Sequence, residues 1–293
     1  MTSREHTVLG DYLRARREVL RPQDAGLPAG QGRRRVPGLR REELALLAGI
    51  SADYYLRLEQ GRDRRPSPQV LDALASALGL DEAARAHLHR LAKQEQQPRR
   101  RPRRAPERVV PGLRRLLESA FGAPAYVQGR LMDVLAANGL AQALSPAYAP
   151  GTNVVRAMFL EPGLAQTHGV GEHDLAGLVA CLRRQVGPDV DDPRLTELVG
   201  ELSVRSEPFR RLWARQDVRA PARGPLRLHH PQVGPLELHY EKLLVPDARD
   251  QQLVVLSAEP GSPSAEALTL LGALQEPGAH ESRRTTSADN QAP

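Results

Sequence analysis

Residues Leu39–Arg65 read LRREELALLAGISADYYLRLEQGRDRR. Leu44, Leu47 and Ala48 recur at helical spacing, Gly49-Ile50-Ser51 interrupts them, and Tyr55 and Leu58 form a second seam that Gly61 ends. Gly49 suits a left-handed turn because it lacks a Cβ, and Ser51 is placed to cap the second helix. Two short helices joined in this way make a helix-turn-helix, whose second helix can enter the major groove of DNA. The stretch therefore predicts a DNA-binding element.

Upstream, Thr7–Val19 reads as an amphipathic helix with Val8, Leu9, Tyr12 and Leu13 inward and Arg14, Arg16 and Arg17 outside. The Pro- and Gly-rich segment Arg21–Gly38 predicts a loop whose Arg33-Arg34-Arg35 run precedes the motif. Helices are expected over Arg41–Ala48, Ala52–Gln60, Pro68–Leu78 and Asp81–Lys93, with Ser67 and Pro68 opening the fourth. Residues 1–94 thus form a five-helix domain. An Arg- and Pro-rich linker follows over 95–108, extended by self-repulsion, and its arginines can also reach phosphates.

The net charge of +6 hides an asymmetry. Residues 1–115 hold 25 Arg and Lys against 14 Asp and Glu, and the remainder holds 16 against 21. The first part attracts polyphosphate in a salt-dependent way, whereas the second should avoid it. The lone Cys181, the charged N-terminal stretch and the lack of a long apolar run predict a cytoplasmic protein with no membrane partner.

From Val109 the pattern changes. A helix at Pro111–Phe121 leads to strands at Pro124–Gln128 and Met132–Ala136, joined by a Gly129-Arg130 hairpin turn. Helices follow at Asn138–Leu144, Val154–Phe159, Glu172–Val186, Pro193–Ser203 and Pro208–Arg215. Strands at Leu226–His230, Leu236–Leu244 and Gln252–Ala258 and a helix at Ser264–Leu274 complete an α+β domain over 109–276, with a five-stranded antiparallel sheet. The polar tail 277–293 is expected to be disordered.

On the second helix of the motif, Ser51, Ala52, Asp53, Tyr54 and Arg57 lie opposite the Tyr55–Leu58 seam, on the face that would meet base edges. Arg57 can pair with guanine, Asp53 can accept from cytosine, and Tyr54 can cover a thymine methyl or bond a phosphate. The plainer alternative is an Asp53–Arg57 ion pair within the helix. Arg40 and Arg41, at the start of the first helix, and Arg62, Arg64 and Arg65, beyond the second, are placed for phosphates. Glu59 is expected to pair inward with Arg17.

No catalytic or phosphate-cradling motif appears, so neither catalysis nor a cofactor is expected. His87 and His89 diverge on one helix. His230 and His239 can approach across a hairpin, but no further ligand completes a zinc site. Met132, Val134, Met158, Phe159, Leu178, Leu182, Leu228, Leu238 and Tyr240 should face the interior between sheet and helices. Trp213 joins them as core or lining, and Arg210, Arg211 and Arg215 are either surface residues or a clamp for an anionic head group.

Residues 7–92, with GLRREELALLAGISADYYLRLEQGRDRRPSPQVLDALASALGL, resemble a lambda-repressor-type (Xre) helix-turn-helix. Residues 109–274, with DPRLTELVGELSVRSEPFRRLWARQDVR, HHPQVGPLELHYEKLLVP and QQLVVLSAEPGSPSAEAL, resemble the C-terminal domain of MmyB-like bacterial transcription regulators. The resemblance implies a regulator that binds double-stranded DNA, with a PAS-like second domain whose apolar pocket takes a fatty-acid-like ligand. Relatives often carry W-D-V-L-A-W-N where this chain has Met132-Asp133-Val134-Leu135-Ala136-Ala137-Asn138, so smaller side chains should reshape that pocket. A homodimer is expected. The alternative is a ligand-free second domain used for dimerisation or for docking a protein partner.

Overall fold

The computed structural model describes residues 7–28, 38–63, 65–95, 107–119, 122–187, 192–219, 223–246 and 248–275. Arg33–Arg35, Arg64, most of the expected linker and the tail 277–293 lie outside the described residues.

The chain opens with α1 (Val8–Val19), α2 (Arg41–Leu47), α3 (Ala52–Glu59), α4 (Pro68–Ala77) and α5 (Glu82–Glu95). Next come α6 (Pro111–Glu118), β1 (Ala125–Gln128), β2 (Val134–Ala137), α7 (Gly139–Leu144), α8 (Val154–Leu160) and α9 (Pro162–Thr167). Three longer helices follow: α10 (Glu172–Val186), α11 (Pro193–Arg205) and α12 (Glu207–Ala214). The described chain ends with β3 (Arg223–His230), β4 (Gly234–Val245), β5 (Ala248–Ser257) and α13 (Pro263–Gln275). Two short 3-10 turns, at Pro22–Ala25 and Pro146–Tyr148, and the helix α9 are additions to the expected set.

Contacts divide the chain into two units that are not continuous in sequence. One holds Met1–Pro106 with Gly171–Pro221, and the other holds Glu107–Val170 with Ala222–Pro293. The helices α10–α12 therefore cluster with the N-terminal helices, and Val218 enters the same buried core as Leu9, Tyr12 and Leu88.

In the helical unit, Thr7 caps α1 by accepting from the Gly10 amide, and Ser51 and Ser67 cap α3 and α4 through the Tyr54 and Val70 amides. Gly49 adopts φ +65°, as the turn requires. Leu44, Ala45 and Ala48 form the buried side of α2, whereas Leu47 is 37% and Leu46 76% exposed. The expected seam is thus corrected: on so short a helix the inward stripe runs through positions 44, 45 and 48, and Leu47 sits at its rim. Ser51→Ala should destabilise this unit by ~1 kcal/mol in a denaturant titration, because the Tyr54 amide loses its acceptor. An unchanged midpoint would show that water satisfies that amide equally well.

The second unit carries an antiparallel sheet in the order β2-β1-β5-β4-β3. One face of β1 and its neighbours packs Ala125, Val127, Ala136 and Leu253 against Leu117 of α6. On the other face, Tyr126 stacks on Tyr148 with centroids 4.8 Å apart. The β1–β2 connection is longer than the expected two-residue turn. Gly129 donates to the Asp133 carbonyl, β2 begins at Val134, and Met132 takes φ +67°.

That conformation disfavours a side-chain-bearing residue, and the segment leading into α8 holds it in place. Val154 donates to the Met132 carbonyl, and Asn153 donates to Leu131 O and Asp133 Oδ1 at 2.7 and 2.8 Å. The histidine pairing across the β3–β4 hairpin also differs from expectation: His230 lies opposite Gly234 and His239 opposite Pro225, so register separates the two.

Candidate functional site

The inward residues of α3 are Tyr55, Leu58 and Glu59, all buried. Ser51, Ala52, Asp53 and Arg57 are exposed, and Tyr54 is half-buried. The Arg57 guanidinium bonds the Asp53 carboxylate and lies 5.7 Å from the centre of the Tyr54 ring. With the Asp53 side chain 73% exposed, the ion pair is worth only about 0.3–0.5 kcal/mol. A bidentate contact to guanine is worth ~1–3 kcal/mol and so outweighs it. The pair holds Arg57 on the outward face without committing it.

Glu59 anchors α3 to its neighbours. It accepts from Arg17 Nε at 3.1 Å and from Arg41 Nε and Nη2 at 2.9 and 2.7 Å. Arg17 Nη1 in turn donates to Leu39 O at 2.8 Å, tying α1 to the entry of α2. The inward Glu59–Arg17 pairing is therefore present, and Arg41 joins it. Burial of Glu59 opposes its ionisation, but the bonds from Arg41 and Arg17 outweigh that and hold its carboxyl below the usual value.

The start of α2 differs from a free phosphate cradle. Glu43 accepts from the Arg40 amide at 2.7 Å and Arg41 is engaged by Glu59, which leaves the exposed Arg40 side chain as the outward cation there. Beyond α3, Gly61 turns the chain at φ +68°, and Arg62 and Arg65 are exposed. Arg64 is outside the described residues.

The ten expected lining residues divide between the two units. Met132, Val134, Met158, Phe159, Leu228, Leu238 and Tyr240 belong to the sheet unit, whereas Leu178, Leu182 and Trp213 belong to the helical one. Strand register places Val134, Leu228, Leu238 and Tyr240 on the sheet face that carries Tyr126. Met132 and Val134 are buried there, though Met132 sits in the turn and not on the strand. The separation of the other three has a physical cause: α10 and α12 pack on one another and cluster with the N-terminal helices.

Sequence reasoning missed Gln128, Tyr148 and His168 in this unit. Gln128 is 2% exposed and its Oε1 meets no partner, and His168 lies 2.7 Å from Ser145 Oγ. Burial lowers the His168 pKa to about 4, so the ring is neutral at physiological pH. Period-two alternation along β1 marks Tyr126 and Gln128 as sharing a face; Tyr148 and His168 lie in short segments without such a signal. Among the described residues no group of His, Cys, Asp and Glu is arranged to hold a metal ion, and no helix is long and apolar enough to cross a membrane.

Matches to two family models define a DNA-binding transcription regulator that carries a ligand-binding domain. The model for the MmyB-like transcription regulator ligand binding domain matches residues 109–271, more than half of the chain, and that for a helix-turn-helix domain matches residues 8–88. The chain belongs to the MmyB-like transcription regulators. No curated protein matches it. Both matched families are regulatory.

Proposed function

We propose that the protein is a cytoplasmic, non-enzymatic homodimer that reads a DNA operator through α3, and that its second domain senses an apolar, fatty-acid-like molecule. The observation that carries the DNA reading is the outward face of α3, where Asp53, Tyr54 and Arg57 stand clear of the core and the Arg40, Arg62 and Arg65 side chains flank them. Arg57 supplies base discrimination, and the flanking arginines supply charge and register. Sensing follows by linkage: a ligand changes operator occupancy only if it binds the DNA-competent and DNA-incompetent arrangements unequally.

Arg57→Ala should weaken binding to the operator by about 1–3 kcal/mol while leaving binding to a scrambled duplex nearly unchanged. Arg62→Ala should weaken both duplexes alike and reduce the salt slope of log K by about 1. Fluorescence anisotropy at two salt concentrations separates these effects. Identical losses for the two variants on both duplexes would remove Arg57 from base reading.

A further inference from the structure

The segment Gly171–Pro221 falls inside the ligand-binding domain by sequence, yet it clusters with the DNA-binding helices. Near its end, Asp217 and Val218 are gripped by those helices. Val218 is 5% exposed and, among the described residues, is the only member of the buried cluster around Leu9, Tyr12 and Leu88 that comes from beyond Ala92. One carboxylate oxygen of Asp217 bonds Arg16 of α1, and the other bonds Arg215 at 3.1 Å. The Arg219 amide donates to the Ala180 carbonyl of α10 at 3.4 Å.

The turn that delivers this pair is strained. Gln216 takes φ +55°, a left-handed conformation disfavoured for a residue with a Cβ, and its amide donates to the Trp213 carbonyl at 3.3 Å. Such a conformation persists only where its surroundings hold it, and here the seats of Asp217 and Val218 do so. On the other side, four residues separate Val218 from Arg223, where β3 begins at the edge of the sheet. β3 places Leu226 and Leu228 on the sheet face that carries Tyr126, so the docked pair is tethered to that face.

α1, which receives the pair, is in turn fixed to the reading helix. Gly10 approaches the Glu59 carbonyl at the end of α3 too closely to admit a Cβ, and Arg17, beside Arg16, bonds the Glu59 carboxylate.

We propose that Asp217 and Val218 form a strap through which the ligand-binding domain sets operator affinity. Seated, they hold α1, and hence α3, in reading register; drawn out by a shift of β3, they release it. The inference rests on the regulator reading above and adds the device that joins its two halves. The seated arrangement is the DNA-competent one, because the outward face of α3 stands clear in it. Linkage is reciprocal, so an operator that binds better to the seated form must favour seating by the same factor.

Amide hydrogen exchange over residues 216–219 is followed in the full-length protein, alone, with the duplex it selects from a random-sequence pool, and with a scrambled duplex at saturation. The selected duplex should slow this exchange roughly fivefold or more, and the scrambled duplex should slow it less. Gln216→Val makes the left-handed turn harder at a position outside the buried cluster; it should speed the exchange and weaken binding of the selected duplex by a similar factor. Gln216→Gly removes the same side chain but accepts the turn, and should match or exceed wild type in both.

An exchange rate that the selected duplex leaves unchanged would overturn the strap while the DNA reading stands. That comparison needs only wild type, so misfolding of Gln216→Val does not shield the proposal. Equal losses in the two Gln216 variants would trace the effect to the lost side chain and overturn it too. If the protein enriches no duplex from the pool, the DNA reading fails and the strap fails with it.

Discussion

Glu59→Ala is expected to cost the helical unit about 3–5 kcal/mol, because removing one partner of a buried ionic network strands the other. The group left behind is Arg17, whose side chain is 6% exposed and which then keeps only the Leu39 carbonyl and the longer contact with the partly exposed Glu18 carboxylate at 3.4 Å. Typical domains are stable by only ~5–15 kcal/mol, so the loss takes a large share of the margin. In a thermal melt it corresponds to a fall on the order of 15 °C. Glu59→Gln should fall between, since an amide keeps one acceptor but no charge. A Glu59→Ala melt within ~1 kcal/mol of wild type would mean that the Arg17 cation reaches water after all.

The same network sets an acid limit. Because the folded-state carboxyl of Glu59 is held below its unfolded value, its contribution is complete above the unfolded pKa, about 4.3. It fades as pH falls through the lower folded value. In Glu59→Gln this part of the acid sensitivity should vanish, which chemical denaturation across the range from pH 6 down to about 3 would show.

Gly10→Ala should destabilise the protein although it lies within a helix. Alanine in a helix interior ordinarily gains about 0.5–1 kcal/mol over glycine. At Gly10, however, an added Cβ would stand 2.4 Å from the Glu59 carbonyl oxygen, and that neighbour is backbone. α1 and the end of α3 must then move apart, at a cost of about 1–3 kcal/mol or more. The shift also carries the outward face of α3, so operator affinity should fall along with the melting temperature. A raised melting temperature would show that the two helices do not approach this closely. Both substitutions act at Glu59, so the double variant should depart from additivity.

Much of the DNA-binding unit was legible because its signals are local. Ser51, Ser67-Pro68 and Gly61 mark helix ends within a few residues of the ends observed, and the Glu59–Arg17 pair follows from one charge on an otherwise apolar stripe. The five-stranded antiparallel sheet needed only five strand runs and the resemblance, whereas its order came with the structure. What escaped depends on distant partners. Nothing in Met132-Asp133 announces a left-handed residue, since that conformation is held by Asn153 and Val154 twenty residues later.

The allegiance of α10–α12 to the first helices is set by packing between segments more than a hundred residues apart, so Trp213 could not be placed from its neighbours in sequence. The buried Arg183 did leave a trace. It falls four residues after Val179 and three before Val186, a spacing that invites burial, yet the adjacent, exposed Arg184 hides it.

The alternation of segments between the two units has a consequence in time. During synthesis, at roughly 5–20 residues per second, the first five helices emerge long before Asp217 and Val218, which complete their surface. β1 and β2 likewise precede β5, the strand that joins them to the rest of the sheet. By that partition all segments of the first unit are present only once residue 221 is made, and those of the second only with β5 and α13. A message truncated between codons 107 and 170 would therefore yield the first five helices without α10–α12 and without Val218, which belongs to their buried core.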